Sequence, residues 1–268
     1  MPELPEVETV KEGLKKHLLG RKIVNAKVYY KGIIAFPSTD EFVKKISNRV
    51  IQDIKRRGKF ILFDLDDYYL VSHLRMEGKY FIKDKLEIGR HDHVSFKLDN
   101  NKYLIYNDTR KFGKMYLIKM DDDINNPLNK LGLEPWDENL TIEYLKDKLN
   151  KNIPIKTMLL DQSIIVGIGN IYADEILFMS GINPYKKGMK LSNIELESII
   201  NNTRVVLENA IKMGGTTIKS YSSVNGVHGL FQQELLVHNQ DICKKCNSKI
   251  LKEKIGGRGT YYCPKCQK

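Results

Sequence analysis

The chain opens Met1-Pro2-Glu3-Leu4-Pro5-Glu6, a proline followed at once by two carboxylates. Removal of the initiator Met is expected, because the residue after it is small, and it would leave Pro2 as a free secondary amine. A terminal amine titrates near ~8, far below a lysine side chain, and the positive end of a following helix lowers it further. Much of it is then free base near neutral pH. Such an amine attacks a carbonyl-like carbon as a Schiff-base lysine does, and a secondary amine yields a permanently charged iminium, which is an electron sink. Glu3 and Glu6 place two carboxylates close to it in the chain, which makes the six residues a candidate catalytic constellation. The same residues also suit a plain helix start, with Pro2 and Pro5 as punctuation and Glu3, Glu6 and Glu8 complementing the dipole.

All four cysteines lie near the C-terminus, as Cys243-Lys244-Lys245-Cys246 and Cys263-Pro264-Lys265-Cys266. This is zinc-ribbon spacing, in which each tight turn supplies two thiolates. Four sulfur ligands leave no open coordination position, so the metal is structural and not catalytic. A redox reading of the pairs lacks the βαβ context that it needs. Between the pairs a hairpin is expected, with strands from Lys249 to Lys254 and from Thr260 to Cys263. Its tip, Gly256-Gly257-Arg258-Gly259, would hold out one long cation, either as a phosphate finger or as an incidental solvated charge. A third feature is Gly167-Ile168-Gly169-Asn170. Two glycines permit a sharp turn and a close approach, and Asn170 opens a helix whose free N–H groups suit a phosphate. A simple helix–helix turn is the alternative.

These groups need elements to hold them. Val7, Val10, Leu14 and Leu18 recur at helical spacing, which predicts a helix from about Pro5 to Leu19 that ends at Gly20 and anchors the N-terminus by packing. From Ile23 to about Met120 the pattern changes to short β-rich runs: Ile23 to Tyr30, Arg49 to Lys55, Lys59 to Leu65, Tyr68 to Ser72, Val94 to Leu98 and Tyr103 to Tyr106. Polar turns separate them, as in a sandwich or barrel. Periodicity lapses from Asp121 to Trp136, which reads as a connection between domains. Helical spacing returns over Thr141 to Asn150, Pro154 to Leu160, Asn170 to Met179 and Leu191 to Met213.

At 268 residues the chain can build two modest domains, and its 41% hydrophobic share is that of a globular fold. The net charge of +11 points to a polyanionic partner. Nucleic acid ranks before membrane, since no long apolar run or basic amphipathic terminal segment occurs. A general richness in Lys, Ile and Asn contributes to that charge. With no signal peptide ahead of the first polar residues, a reducing intracellular compartment is expected, where cysteines favour metal over disulfides.

Read jointly, several fragments resemble bacterial formamidopyrimidine-DNA glycosylase: the opening to Glu8, Arg56-Arg57-Gly58-Lys59-Phe60, His73-Leu74-Arg75-Met76-Glu77-Gly78, His91-Asp92-His93 and Asn107-Asp108-Thr109-Arg110-Lys111-Phe112-Gly113. The Gly167 to Tyr172 turn, Phe231-Gln232-Gln233-Glu234 and the terminal ribbon continue the series in the family's order, over essentially the whole chain. The resemblance implies an α+β multidomain fold, with an N-terminal helix packed on a β-sandwich, then a helix-two-turn-helix module and a C-terminal zinc ribbon. The corresponding boundaries are 1–125, a linker at 126–136, a helical domain at 137–232 containing a lesion-capping loop at 214–229, and a ribbon at 233–268.

In function, the resemblance implies excision of oxidised purines, chiefly 8-oxoguanine and formamidopyrimidines, from damaged double-stranded DNA. Strand scission by β,δ-elimination follows. The implied protein is a monomer with one structural Zn2+ bound by Cys243, Cys246, Cys263 and Cys266, located in the bacterial cytoplasm at the nucleoid, with no membrane partner. Pro2 is the implied nucleophile, Glu3 the proton donor, Glu6 the orienting group, Lys59 an aid to base recognition and elimination, and Arg258 the grip on phosphates for the final elimination. An extruded base leaves a hole; Met76 and Phe112 would plug it as apolar wedges, while Arg110 hydrogen-bonds the orphaned cytosine. His91, Lys151 and Asn170 match positions that hold the DNA backbone, and Lys156 lies on the same helical module.

In the capping loop Tyr221-Ser222-Ser223 stands in place of the usual Tyr-Val-Asn, while Gly226 and Gly229 fit the family's spaced glycines. The sister endonuclease VIII type shares the proline and the ribbon but typically has Gly-Pro after its glutamate, against Glu3-Leu4-Pro5 here. A zinc-ribbon DNA-binding protein without catalysis is the reading from another class.

Overall fold

Apolar residues at every third or fourth position behind Met1 produce the first element, α1 (Leu4–Leu18), which buries Val7, Val10, Leu14 and Leu18. The computed structural model describes residues 1–119, 124–216 and 229–268. After α1 come β1 (Lys22–Val28), β2 (Ile34–Phe36), α2 (Thr39–Ile46), β3 (Arg49–Val50), β4 (Asp53–Arg57), β5 (Phe60–Leu65) and β6 (Tyr68–His73). Then follow β7 (Lys79–Lys83), β8 (Asp92–Leu98), β9 (Tyr103–Asn107) and β10 (Lys114–Lys119). They form two five-stranded sheets, ordered β3-β1-β8-β9-β7 and β2-β10-β6-β5-β4.

Strand alternation decides the faces. Along β5, Ile61, Phe63 and Leu65 enter the main core together with Val94, Phe96, Leu104 and the buried face of α1, while Leu62 packs with Val71 and Ile118 in a smaller cluster. The chain crosses between the sheets five times, and the last two crossings carry residues named above. The loop from β6 to β7 carries Met76, and the loop from β9 to β10 carries Arg110 and Phe112. Their strand ends are paired, His73 with Lys114 in one sheet and Lys79 with Asn107 in the other. The two loops therefore leave the sandwich side by side.

Several elements were not foreseen from sequence. β2, β7 and β10 lack a clean apolar/polar alternation, and the expected strand from Arg49 to Lys55 is two strands, broken after Val50. Helix α2 interrupts the β region. Its signal was present: Ser38 accepts a hydrogen bond from Glu41 N at 3.4 Å, as an N-cap does, and Phe42 and Ile46 are buried four residues apart.

The second group of elements is helical: α3 (Ile142–Leu149), α4 (Ile155–Leu159), α5 (Asn170–Met179) and α6 (Asn193–Lys212). Ser192 and Glu195 close α6 with a capping box. Helix α5 is buried all round, from Tyr172 to Phe178, and forms the centre of a core with Leu145, Leu149, Ile155, Leu159, Leu196, Ile199 and Leu207. The chain ends in the hairpin β11 (Leu251–Ile255) and β12 (Arg258–Tyr262).

By its contacts the chain divides into two compact units. The first holds Met1–Pro2 and Glu6–Asn129, with Thr216 and Gly229. The second holds Glu3–Pro5, Lys130–Gly215 and Leu230–Lys268. The helical segment and the ribbon, separate in the sequence reading, thus share one unit, because Phe178 of α5 packs with Val237, Cys243, Ile250 and Cys263. No helix among the described residues is long and apolar enough to cross a membrane.

Candidate functional site

Pro2 is buried, and Glu3 and Glu6 are 3% and 1% exposed. In the second unit, α5 starts after Gly169, which has no side chain with which to cap it. The Glu3 carboxylate does so instead: Oε1 accepts from Ile171 N at 3.0 Å and Oε2 from Tyr172 N at 3.3 Å. Orphan N–H groups and the helix dipole both favour an anion there. A Cβ on Gly169 would lie 2.2 Å from Glu3 Cδ. Gly167, at φ +89, would bring a Cβ to 2.4 Å from Leu4 Cδ1, and its carbonyl accepts from Leu4 N at 3.1 Å.

This corrects one sequence expectation. Two of the N–H groups offered to a phosphate are taken by the chain's own Glu3, and the glycines make room for that residue and Leu4. In the first unit, Glu6 Oε1 accepts from Thr216 N at 2.8 Å and from Thr216 Oγ1 at 3.1 Å. The capping loop was expected at 214–229; its residues 217–228, with Tyr221-Ser222-Ser223 and Gly226, lie outside the described residues.

The first unit also carries the residues expected at the base and the plug. Lys59 sits in the two-residue turn between β4 and β5, after Gly58 at φ +55, and is 6% exposed, so it is not a solvated turn charge. Neighbouring His73 accepts from Arg75 N through Nδ1 at 2.9 Å, which makes it the neutral tautomer protonated on Nε2. Burial, and then the positive charges of Arg75 and Lys59, push its pKa down to about 3. Met76 is half-buried, whereas Arg110 and Phe112 are exposed, with the guanidinium 4.8 Å over the Phe112 ring. His91 is half-buried, and its carbonyl accepts from Asp108 N at 2.9 Å.

In the second unit Lys151 is exposed and Asn170 half-buried. Asn170 Nδ2 donates to the Gly259 carbonyl at 2.8 Å, tying the start of α5 to the hairpin, while its Oδ1 is buried without a hydrogen-bond partner among the described residues. Arg258 is exposed but is not part of the hairpin tip. The tip is Gly256-Gly257 alone, both in the left-handed region at φ +55 and +80, and Arg258 opens β12 opposite Ile255.

Lys156, on the same helical module, does not face solvent. It is fully buried on α4, donating to Asp174 Oδ1 at 2.5 Å and to the Asn170 carbonyl at 2.8 Å. Burial pushes its pKa down, against the opposing pull of Asp174. Asp174 Oδ2 in turn accepts from His238 Nδ1 at 2.6 Å and from Tyr261 N at 3.2 Å. Beside it, buried Glu175 accepts from the backbone N–H groups of Leu236, Val237 and His238. The sequence reading missed Asp174, Glu175 and His238. Two adjacent acids inside an otherwise apolar helix were the available signal, since buried carboxylates demand partners.

The four cysteine sulfurs lie within 4.8 Å of one another, with Cys243–Cys266 at 3.9 Å and Cys246–Cys263 at 3.5 Å. Tetrahedral zinc with ~2.3 Å bonds holds sulfurs about 3.8 Å apart, so the residues fit that ion. All four are free of disulfides. The ribbon is a structural zinc site.

Comparison with known proteins covers the chain in three segments. Residues 1–115 match the model of the formamidopyrimidine-DNA glycosylase N-terminal domain, 131–222 that of the formamidopyrimidine-DNA glycosylase H2TH domain, and 242–268 that of the zinc finger found in FPG and IleRS. The chain is 44% identical over 273 residues to the formamidopyrimidine-DNA glycosylase of Oceanobacillus iheyensis, covering 100% of this chain and 98% of that protein. It is likewise 44% identical over 273 residues to that of Bacillus subtilis, covering 100% and 99%. Among solved structures, the Lactococcus lactis Fpg in complex with abasic-site DNA superposes at TM-score 0.92 with 38% identity, over 99% of both chains. The wild-type L. lactis Fpg with N7-benzyl-Fapy-dG DNA matches with the same score, identity and coverage.

Proposed function

The chain belongs to the formamidopyrimidine-DNA glycosylase family, and from that membership we propose that it is a bifunctional base-excision-repair enzyme, a DNA glycosylase and abasic-site lyase acting on oxidised purines in duplex DNA. The observation that carries this reading is the placement of the buried Glu3 carboxylate on the N-terminus of α5, next in the chain to buried Pro2.

With Met1 removed, the Pro2 nitrogen attacks C1′ of the damaged nucleotide as the C1′–base bond breaks, and Glu3 passes a proton to the sugar ring oxygen or the departing base. The C1′–O4′ bond then opens, the ring oxygen taking a proton as the nitrogen gives up its own, which leaves an iminium between Pro2 and C1′. Loss of a C2′ proton expels the 3′ phosphate, and a second elimination expels the 5′ phosphate, leaving a one-nucleotide gap. Glu6 orients the amine and Glu3, and its bond to Thr216 ties it to the segment that enters the capping loop. Lys59 assists base recognition and elimination; its burial suits a group aimed at a substrate more than a solvated charge.

Met76 and Phe112 fill the vacated space and Arg110 pairs the orphaned cytosine, in keeping with the exposure of Phe112 and Arg110. His91, Lys151, Asn170 and Arg258 hold the DNA backbone. The zinc ion does no chemistry on the substrate; it ties the two Cys turns together, so that the hairpin bearing Arg258 has a fixed base. The catalytic part spans 1–125, the helical DNA-binding part 137–232 and the ribbon 233–268. The enzyme acts as a monomer in the bacterial cytoplasm, at the nucleoid.

Borohydride reduction during the reaction tests the proposal. The enzyme should become covalently joined to DNA carrying 8-oxoguanine, the adduct should vanish in Pro2→Gly, and intact mass should show Met1 missing. Release of lesions by protein with a free Pro2, without any trapped adduct, overturns the mechanism; faster release of thymine glycol than of 8-oxoguanine overturns the substrate class.

A further inference from the structure

We propose that the two plug loops form one preassembled wedge, with Asp108 as its positioning residue and the Thr109–Glu77 pair as its clasp. This rests on the reading of Met76, Arg110 and Phe112 as the groups that enter the duplex.

Asp108 is 0% exposed, yet it is an ionisable residue at the root of an exposed loop. All its acceptors face inward. Oδ1 accepts from Arg110 N at 3.0 Å and Oδ2 from Gly113 N at 2.8 Å, so one carboxylate closes the whole turn that bears Arg110 and Phe112. Its backbone carbonyl accepts from His93 Nε2 at 2.8 Å and from Lys111 N at 3.3 Å. Lys111 sits at φ +59, a conformation that L residues rarely adopt unless their surroundings impose it. The reward for that strain is the stacked pair of Arg110 over Phe112, presented outward as one unit.

The first loop is fitted to the second. Arg75, just before Met76, is at φ +53. The Thr109 hydroxyl donates to the Glu77 carboxylate, which joins the residue before Arg110 to the residue after Met76. Beneath both loops stands Tyr106, 0% exposed, whose hydroxyl reaches the ends of each: a Cβ on Gly78 would lie 2.3 Å from it, and a Cβ on Gly113 1.7 Å. Neither glycine can be enlarged without moving the phenol. The strand pairings of His73 with Lys114 and Lys79 with Asn107 hold the same loops at their other ends.

A preassembled wedge meets the orphaned base without an ordering cost at the moment of insertion, which is where a loose loop loses affinity. It also places the Arg110 donors at a set height against the opposite strand, so that discrimination of the opposite base depends on Asp108, which makes no contact with that base.

Asp108→Asn tests this, because an amide offers one acceptor oxygen where the carboxylate offers two, and leaves a buried N–H unpaired. Base excision from duplex DNA should fall about tenfold or more, and the preference for cytosine over adenine opposite the lesion should narrow. Strand scission at a preformed abasic site in single-stranded DNA, which needs no plug, should stay at the wild-type rate. Adding Arg110→Ala to Asp108→Asn should cost little more than Asp108→Asn alone, since the arginine is no longer delivered. Thr109→Val, a near-isosteric change at an exposed position, should narrow the opposite-base preference in the same direction with a smaller fall in excision.

Equal losses on the duplex and single-stranded substrates would mean general damage to the fold and overturn the proposal. So would wild-type opposite-base ratios in both Asp108→Asn and Thr109→Val. If Arg110→Ala and Phe112→Ala by themselves leave duplex excision unchanged, the plug reading fails first, and the wedge falls with it.

Discussion

His73 shows how a single residue joins this site to the stability of its unit. Its ring packs edge-on to Phe60 at 4.5 Å, and its Nδ1 is committed to Arg75 N, so the proton that would charge it has no welcoming site. The folded pKa is about 3 against an ordinary value of 6.5, with desolvation as the largest cause and the Arg75 and Lys59 charges adding to it. Because the folded value is depressed, the unfolded chain binds a proton below pH 6.5 that the folded chain refuses. The stability contribution is therefore complete above that value and shrinks as pH falls towards 3. At pH 5 the loss is about 2 kcal/mol. In His73→Asn the amide oxygen can still accept from Arg75 N but cannot titrate, so its unfolding free energy should fall less between pH 7 and pH 5 than that of the parent, by about that amount. Denaturant titrations at both pH values would show it, and identical pH dependence in the two proteins would refute the assignment.

Among elements, α5 carries the most. Its N-terminus receives the Glu3 carboxylate, its middle supplies Asp174 to Lys156 and His238, and its far end supports the ribbon through Phe178. The helix was legible because Asn170 to Met179 carries apolar residues at helical spacing behind two glycines, whereas its partners were not. Lys156 reads as a surface cation by type, and only the arrival of α5 beside α4 buries it. The glycine before α5 provides a direct test. In Gly169→Ala the added methyl overlaps Glu3 Cδ, at 2.2 Å, so the carboxylate must leave the Ile171 and Tyr172 N–H groups. We expect a stability loss of about 1–3 kcal/mol and a fall in base excision of at least about tenfold, with zinc content unchanged. Excision at the parent rate would show that the Glu3 placement is not needed.

Over the whole molecule the governing quantity is charge. Forty-four Lys and Arg residues against thirty-three Asp and Glu give +11, and the proposed backbone contacts come from both units, through His91 in the first and Lys151, Asn170 and Arg258 in the second. With about six phosphate contacts, log affinity for duplex DNA should fall with a slope near −5 against log salt, and a slope near zero would remove the electrostatic part of the argument. What the linear chain determined by itself was chemistry that is local or compositional. The cysteine turns announce a metal because two ligands fit one turn, Pro2 stands beside its carboxylates covalently, helical periodicity places α1 and α5, and net charge names the class of partner. Folding alone decided what each N–H group, cation and glycine is for. Two N–H groups at the start of α5 bind Glu3, Lys156 neutralises Asp174 away from water, Arg258 begins a strand, and Asp108 closes a turn above Tyr106. Those outcomes depend on which distant segment desolvates a group and which partner then satisfies it, and residues far apart along the chain carry no local pattern that records their meeting.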